Sequence, residues 1–448
     1  MSLREGLHAL AEQAPAPTVP PGLFDRARRR HRQRWAAATI AVVAVFTLAG
    51  YGVTRPDVAN EQQFAGGPAG IPRTVSDPPA WTQELTKSPI GAASVVFRGP
   101  AVPDRHPFRE SIAPTALVGL TADTYRVVYP FEATLALSPD GRTLLMPHFD
   151  EEGADLRARH FRTDALDLAS GATQALAAGY VPLGWSVDGK RALLVRRHFW
   201  DDQGEPTERD LTVSVVSWAS GQQEWSVHIP RRDPADDLLA APVALSPDGS
   251  MLAVSTSHEL RVYHRDGTLR WKTSLTGMEV VAGPAAWRDD GRLAVLRRSA
   301  RPGSSEPDLW TLGYVDAASG RPLPDPGLPT VQSTIDVRVT AWRGDTAYAV
   351  VQAASDGASR RMQASLVRLA PGASSPETIL APAGVSALNV ATDYVDQTRT
   401  ATAPSYGLSV TGVLALLWGF GQYVVIGTVI AALVWVIWRR RRRSRRSV

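Results

Sequence analysis

Five times between residues 136 and 350, an apolar run stops at a short polar turn and resumes as a second apolar run. The stretches are Ala136-Leu-Ser-Pro-Asp-Gly-Arg-Thr-Leu-Leu145, Gly184-Trp-Ser-Val-Asp-Gly-Lys-Arg-Ala-Leu193, Ala244-Leu-Ser-Pro-Asp-Gly-Ser-Met-Leu-Ala253, Ala286-Trp-Arg-Asp-Asp-Gly-Arg-Leu-Ala-Val295 and Ala341-Trp-Arg-Gly-Asp-Thr-Ala-Tyr-Ala-Val350. In Pro-Asp-Gly, proline presets φ, aspartate bonds its own backbone and glycine takes positive φ without strain. Each stretch therefore predicts a β-hairpin. A second turn follows in every unit, at Ala169-Ser-Gly171, Ala219-Ser-Gly221, Arg265-Asp-Gly267, Ala318-Ser-Gly320 and Ala370-Pro-Gly372, again between strand-like runs. The unit is thus four antiparallel strands. The first-turn glycines 141, 189, 249, 291 and 344 recur 42 to 60 residues apart, the spacing of a four-stranded propeller blade plus variable loops.

Five full units leave strand-like runs over at both sides. Three lie before the first unit (92–98, 115–120 and 124–129) and one after the last (385–392). Three plus one makes a sixth blade and closes the ring, which removes the open sheet edges that invite aggregation. The expectation is an all-β propeller of six four-stranded blades, with seven as the alternative, over residues 91–396. The apolar–Ser-Pro-Asp-Gly–apolar hairpin resembles the repeat of TolB-type and WD40-like propellers. That resemblance implies the architecture and leaves the activity open, because propellers host binding, scaffolding and catalysis alike.

Two apolar stretches frame the repeats. Residues 35–54 carry no charge and are long enough for one transmembrane helix. The run Arg26-Ala-Arg-Arg-Arg-His-Arg-Gln-Arg34 precedes it, which places residues 1–34 in the cytoplasm. A secretory leader is the competing reading, with Thr47-Leu48-Ala49 as its poor cleavage site. Residues 408–438 are apolar again. Trp418 and the pair Trp435/Trp438 mark two interfaces, so 418–438 is the expected second span and 397–417 a linker and interfacial lead-in. Seven arginines follow in 439–448, so both termini are expected in the cytoplasm and the propeller outside the cell membrane. Residues 55–90, with Gly66-Gly-Pro68 and Pro78-Pro79, read as a flexible linker.

Charge and composition narrow the function. The net charge of +4 hides basic ends: apart from residues 1–34 and 439–448 there remain 34 basic and 41 acidic residues, which argues against a nucleic-acid-binding body. Cysteine is absent, which excludes disulfides, thiolate metal sites and thiol catalysis. No Gly-x-Ser-x-Gly nucleophile motif is present. The turn aspartates Asp140, Asp188, Asp248 and Asp290 read as serving their own backbone. In the sialidase-like Asp-box, Asp and Gly are separated by one residue, whereas here they are adjacent. Trp225 and Trp271 loosely match the tryptophan-docking repeats of quinoprotein dehydrogenases and read better as core residues between blades. No catalytic residue, cofactor or resident metal is expected.

The connections between second and third strands are long in the first, second and fourth units, and emerge on the face opposite the Pro-Asp-Gly turns. Such loops carry function on rigid scaffolds. His148, Asp150 and Glu151 in one, and His198, Asp201 and Asp202 in the next, are the candidate ligand-face residues, either a solvated acidic rim or a metal or cationic-ligand site. The expected function is a membrane-anchored, non-enzymatic binding or scaffold protein with a protein partner on this face. The alternative is a transmembrane regulator whose residues 1–34 bind a cytoplasmic partner. Leu3, Leu7 and Leu10 share a helical face there, followed by a proline-rich break and the arginine run. That arrangement is similar to the membrane regulators paired with extracytoplasmic-function sigma factors in actinobacteria. The arginines of both ends are expected to touch anionic lipid, at about 1 kcal/mol each near the surface.

Overall fold

The computed structural model describes residues 67–79, 82–99, 115–129, 134–149, 161–196, 210–230, 243–256, 259–275, 278–299, 308–332, 334–354, 362–382, 384–402 and 404. Both expected membrane spans lie outside these residues. Among the described residues no helix is long and apolar enough to cross a membrane.

Six four-stranded antiparallel sheets form the domain. Blade 1 is split: Ala387–Val390 is its first strand, followed by Ala93–Arg98, Thr115–Gly119 and Tyr125–Val128. Blade 2 comprises Ala136–Leu137, Thr143–Phe149, Phe161–Asp167 and Thr173–Ala178. Blade 3 runs Tyr180–Trp185, Arg191–Arg196, Asp210–Ser217 and Gln223–Pro230, and blade 4 Val243–Leu245, Met251–Ser255, Glu259–His264 and Leu269–Ser274. Blade 5 holds Met278–Val281, Arg292–Ser299, Leu309–Asp316 and Val331–Gln332; blade 6 holds Thr334–Arg343, Thr346–Ala354, Met362–Leu369 and Glu377–Leu380. The ring closes where Val95, Val96, Phe97 and Arg98 pair with Val390, Asn389, Leu388 and Ala387. Six blades, with the last strand drawn from the C-terminal side, is the arrangement that the leftover runs predict.

The turns follow their chemistry. Asp140 Oδ1 accepts from Ser138 Oγ at 2.6 Å and from the Arg142 N–H at 3.0 Å, and Asp188 and Asp248 repeat both bonds. The serine hydroxyl closes the hairpin by accepting from the backbone N–H five residues on, at 2.9 Å in all three. Gly141 sits at φ +73°, and a Cβ there would lie 2.2 Å from the Ala93 carbonyl oxygen, so the blade 2 turn is wedged against the edge of blade 1.

Each sheet is sandwiched between its neighbours, so central strands bury both faces and read as unbroken apolar runs. Ala93–Arg98 and Arg191–Arg196 show this, whereas the outermost strand of blade 4, Leu269–Ser274, is largely exposed. Tryptophans tie blade to blade. The indole N–H of Trp185 donates to Ala136 O at 2.9 Å, that of Trp287 to Ala244 O at 2.9 Å and that of Trp342 to Ala285 O at 2.7 Å, each reaching the blade before it. Trp225 is buried in the core, and Trp271 reaches from blade 4 to the Ala317 carbonyl of blade 5 at 3.0 Å; both are the inter-blade core residues expected.

The linker reading of 55–90 needs correction where the chain is described. Ile71 and Leu85 are fully buried, and the Leu85 N–H donates to Val127 O on the outer edge of blade 1. Ser76 N–H donates to the Tyr125 hydroxyl at 2.7 Å. Proline and glycine reduced the apparent strand content of this segment, yet its few apolar side chains cover blade 1. The C-terminal boundary at 397 moves for the same reason: Ile71–Pro72 pairs in parallel with Thr398–Arg399.

Candidate ligand-binding channel

His148 ends the second strand of blade 2 on the loop face. Its Nδ1 lies 3.7 Å from Asp164 Oδ2, with the imidazole 42% and the carboxylate 2% exposed. Asp164 is held more closely by Arg162 Nε, at 2.8 Å, from its own strand. The strand register places Arg162 directly opposite His148, so the three side chains form one polar cluster on that blade. Asp150, Glu151, His198, Asp201 and Asp202 lie outside the described residues, as do most of the long loops. No group of three or more metal-ligating side chains occurs among the described residues.

The concave site in this structure is the central channel. A cavity of about 340 Å³ is lined by residues of blades 1, 2, 3, 5 and 6, most of them on or beside the inner strands. No described residue of blade 4 lines it. A Cβ on Gly184 of blade 3 would lie 3.5 Å from Pro284 Cγ of blade 5, so these two strands approach each other. Blade 6 and the closing strand of blade 1 both contribute to the wall, and they meet at a seam.

One face of blade 6 supplies the chemistry of that seam. Asp336 pairs with Gln352 and Arg338 with Val350 across the first two strands, and all four line the cavity. The alternate residues Val337 and Val339 are buried in the cluster with blade 5. Arg338 Nε donates to Asp336 Oδ2 at 2.7 Å, with the two side chains 52% and 31% exposed. Among the described residues they are the only charged ones in the lining. Gln352 Nε2 donates to Ser386 O and Asn389 Nδ2 to Leu135 O, both at 3.0 Å, so these amides bind blade 6 to blade 1 and blade 1 to blade 2. Composition and turn motifs do not mark these residues. The signal available was the polar alternation of Asp336, Arg338 and Thr340 ahead of Ala341-Trp342, where the stretch ahead of Gly184-Trp185 carries Val181 and Leu183.

The turn aspartates are accounted for by their own loops. The hydroxyl and N–H of Ser170 hold the Asp167 carboxyl below the usual carboxylate range, against a smaller opposing effect of burial. Ser319 does the same to Asp316, and Thr268 to Asp266. At Asp248 burial pushes upward, and the bonds from Ser246 and Ser250 outweigh it, so its pKa is also lowered.

No protein-family model matches the sequence, and no curated protein sequence matches it. Solved structures similar in fold include the β-propeller domain of the Trilobed protease from Pyrococcus furiosus, at 13% identity and a TM-score of 0.34 over 58% of this chain and 73% of that one. An acylaminoacyl peptidase in complex with Z-Gly-Gly-Phe-chloromethyl ketone is 12% identical, with a TM-score of 0.35 over 59% of this chain and 47% of that one. A protein of unknown function from Bacteroides caccae is 14% identical, with a TM-score of 0.39 over 66% of this chain and 98% of that one. The chain spans about half the length of the acylaminoacyl peptidase. Likeness at this level says nothing of reaction or ligand. The strand order and ring closure of the chain itself make it a six-bladed β-propeller.

Proposed function

We propose that this protein is a membrane-anchored, non-enzymatic binding protein that displays its propeller outside the cell membrane. The observation that carries the reading is the meeting, at one corner of blade 1, of the segments that lead into and out of the ring. Ile71 lies beside Thr398, and the Gly70 N–H donates to Leu120 O in the turn between the third and fourth strands. That turn belongs to the same face as the Pro-Asp-Gly hairpins. Anchors at residues 35–54 and 418–438 would draw this face toward the bilayer and leave the loop face turned away from it, toward a protein partner.

The chain has no cysteine, so single introduced thiols report topology directly. Ser319→Cys is expected to react with a membrane-impermeant maleimide in intact cells, and Ser2→Cys and Ser444→Cys only after permeabilisation. Labelling of the terminal thiols in intact cells would overturn the topology. Peptide or ester hydrolysis by the purified chain, abolished by substitutions in the channel, would overturn the non-enzymatic role.

A transmembrane regulator is the second reading, and one observation favours it. The C-terminal segment is bonded to the ring itself: Arg343 of blade 6 donates to Thr392 O and Asp393 O, and the Asp393 N–H to Pro139 O of blade 2. A change at the ring would therefore be felt by the segment leading to the second span. Specific capture of a cytoplasmic protein that is lost on deletion of residues 1–34 is the outcome this reading requires.

A further inference from the structure

The polar residues of the channel divide into two kinds. Asn389 and Gln352 each hold a neighbouring blade by its backbone carbonyl. Among the described residues Asp336 and Arg338 hold only each other, two residues apart on one strand. An exposed pair of this sort adds little to stability. Their contact uses one N–H of a guanidinium that has five, and one oxygen of the carboxylate. Both Nη groups of Arg338 and the second oxygen of Asp336 have no partner among the described residues, and both side chains line the cavity.

We infer that the channel binds a small zwitterion of amino-acid or dipeptide type, its carboxylate on the Nη fork of Arg338 and its ammonium on Asp336. The wall fits this class for two reasons. Guanidinium binds carboxylate in a bidentate fork, which the free Nη edge provides. The paired charges also sum to zero, so a singly charged ligand would leave an uncompensated charge in a narrow site, whereas a dipolar ligand meets both. A cavity of about 340 Å³ lies at the small end of ligand sites, which span roughly 300–1,000 Å³. The remaining lining is mixed, with Leu135, Pro182 and Leu388 offering apolar surface for a short aliphatic side chain beside polar residues such as Thr340 and Asn389. This inference rests on the reading of the propeller as a binding platform and names one ligand site within it.

The test is calorimetric titration of the full chain in lipid nanodiscs with L-alanyl-L-alanine, its N-acetyl form, its C-terminal amide and trehalose. The free dipeptide is expected to bind, and each blocked form to bind at least about tenfold more weakly, a difference of about 1.4 kcal/mol. Arg338→Gln is expected to erase the preference for the free carboxylate, and Asp336→Asn the preference for the free amine, with unfolding midpoints unchanged in both. No heat with the free dipeptide at millimolar concentration overturns the inference, as does equal binding of the blocked forms or of trehalose. Maleimide labelling is independent of this titration. Correct topology with no dipeptide binding removes only the channel assignment, whereas reversed topology removes the anchored display itself.

Discussion

Arg399 reaches back to Asp123 across the whole propeller sequence, with Nη2 2.6 Å from Oδ1 and both side chains only 3% exposed. The same arginine donates to Gly119 O at 3.0 Å. Asp123 exchanges two further bonds with Thr402, its N–H donating to the threonine hydroxyl and its Oδ2 accepting the threonine N–H, both at 2.7 Å. This clasp fastens the C-terminal segment to the blade that closes the ring, beside the parallel contact of Ile71 with Thr398. Two closures, one by strand pairing and one by buried charge, hold the split blade together.

Breaking one half of a buried pair leaves the other charge uncompensated. Asp123→Ala is therefore expected to destabilise the protein by about 3–5 kcal/mol in denaturant unfolding. The double variant Asp123→Ala/Arg399→Met is expected to cost less than the sum of the two single changes, because the stranded charge is gone.

The inter-blade tryptophans separate packing from hydrogen bonding. Trp185→Phe strands the Ala136 carbonyl and is expected to cost about 1–3 kcal/mol beyond the lost ring area. Trp225 is equally buried, but its indole nitrogen has no partner among the described residues. Trp225→Phe should cost distinctly less, and equal losses in thermal unfolding would contradict the role given to the Trp185 bond.

Two turn glycines share a positive φ and differ in surroundings. Gly291, at φ +79°, faces open space, so Gly291→Ala carries the backbone penalty alone, about 1 kcal/mol. At Gly141 the added methyl also meets the Ala93 carbonyl, so Gly141→Ala is expected to cost several-fold more. Comparison of the two unfolding midpoints checks this.

Acid sensitivity follows from the turn carboxylates. Asp167, Asp248, Asp266 and Asp316 have folded pKa values below their unfolded ones. Their stabilisation is complete above the unfolded value, about 3.9, and is lost as pH falls below it through the folded values. Ser170→Ala and Ser319→Ala are expected to move the acid-unfolding midpoint upward. Asp393 has the opposite sign, because burial raises its pKa, with a smaller push from Asp140 against the pull of Arg343. Its contribution is lost as pH rises through the folded value, so Asp393→Asn is expected to stabilise the protein at neutral pH.

The sequence by itself determined the repeat and the hairpins, and it favoured six blades while leaving seven open. Those depend on contacts a few residues apart, where serine, aspartate and glycine dictate turn geometry and apolar runs mark strands between two neighbouring sheets. It also indicated that the closing blade takes its fourth strand from the C-terminal side, because the leftover runs numbered three and one. The tertiary structure alone decided what meets across the ring. Asp123 and Arg399 sit in unremarkable polar stretches and gain meaning only when the split blade brings them together. The segment around Ile71 and Leu85 has too few apolar residues to read as structured, yet each fills a gap that the finished propeller leaves. The charged pair Asp336 and Arg338 shares its cavity with Gly184 and Pro284, residues of two other blades that only the closed ring brings near. Local chemistry is written in neighbouring residues, whereas a cavity is the space left between distant ones.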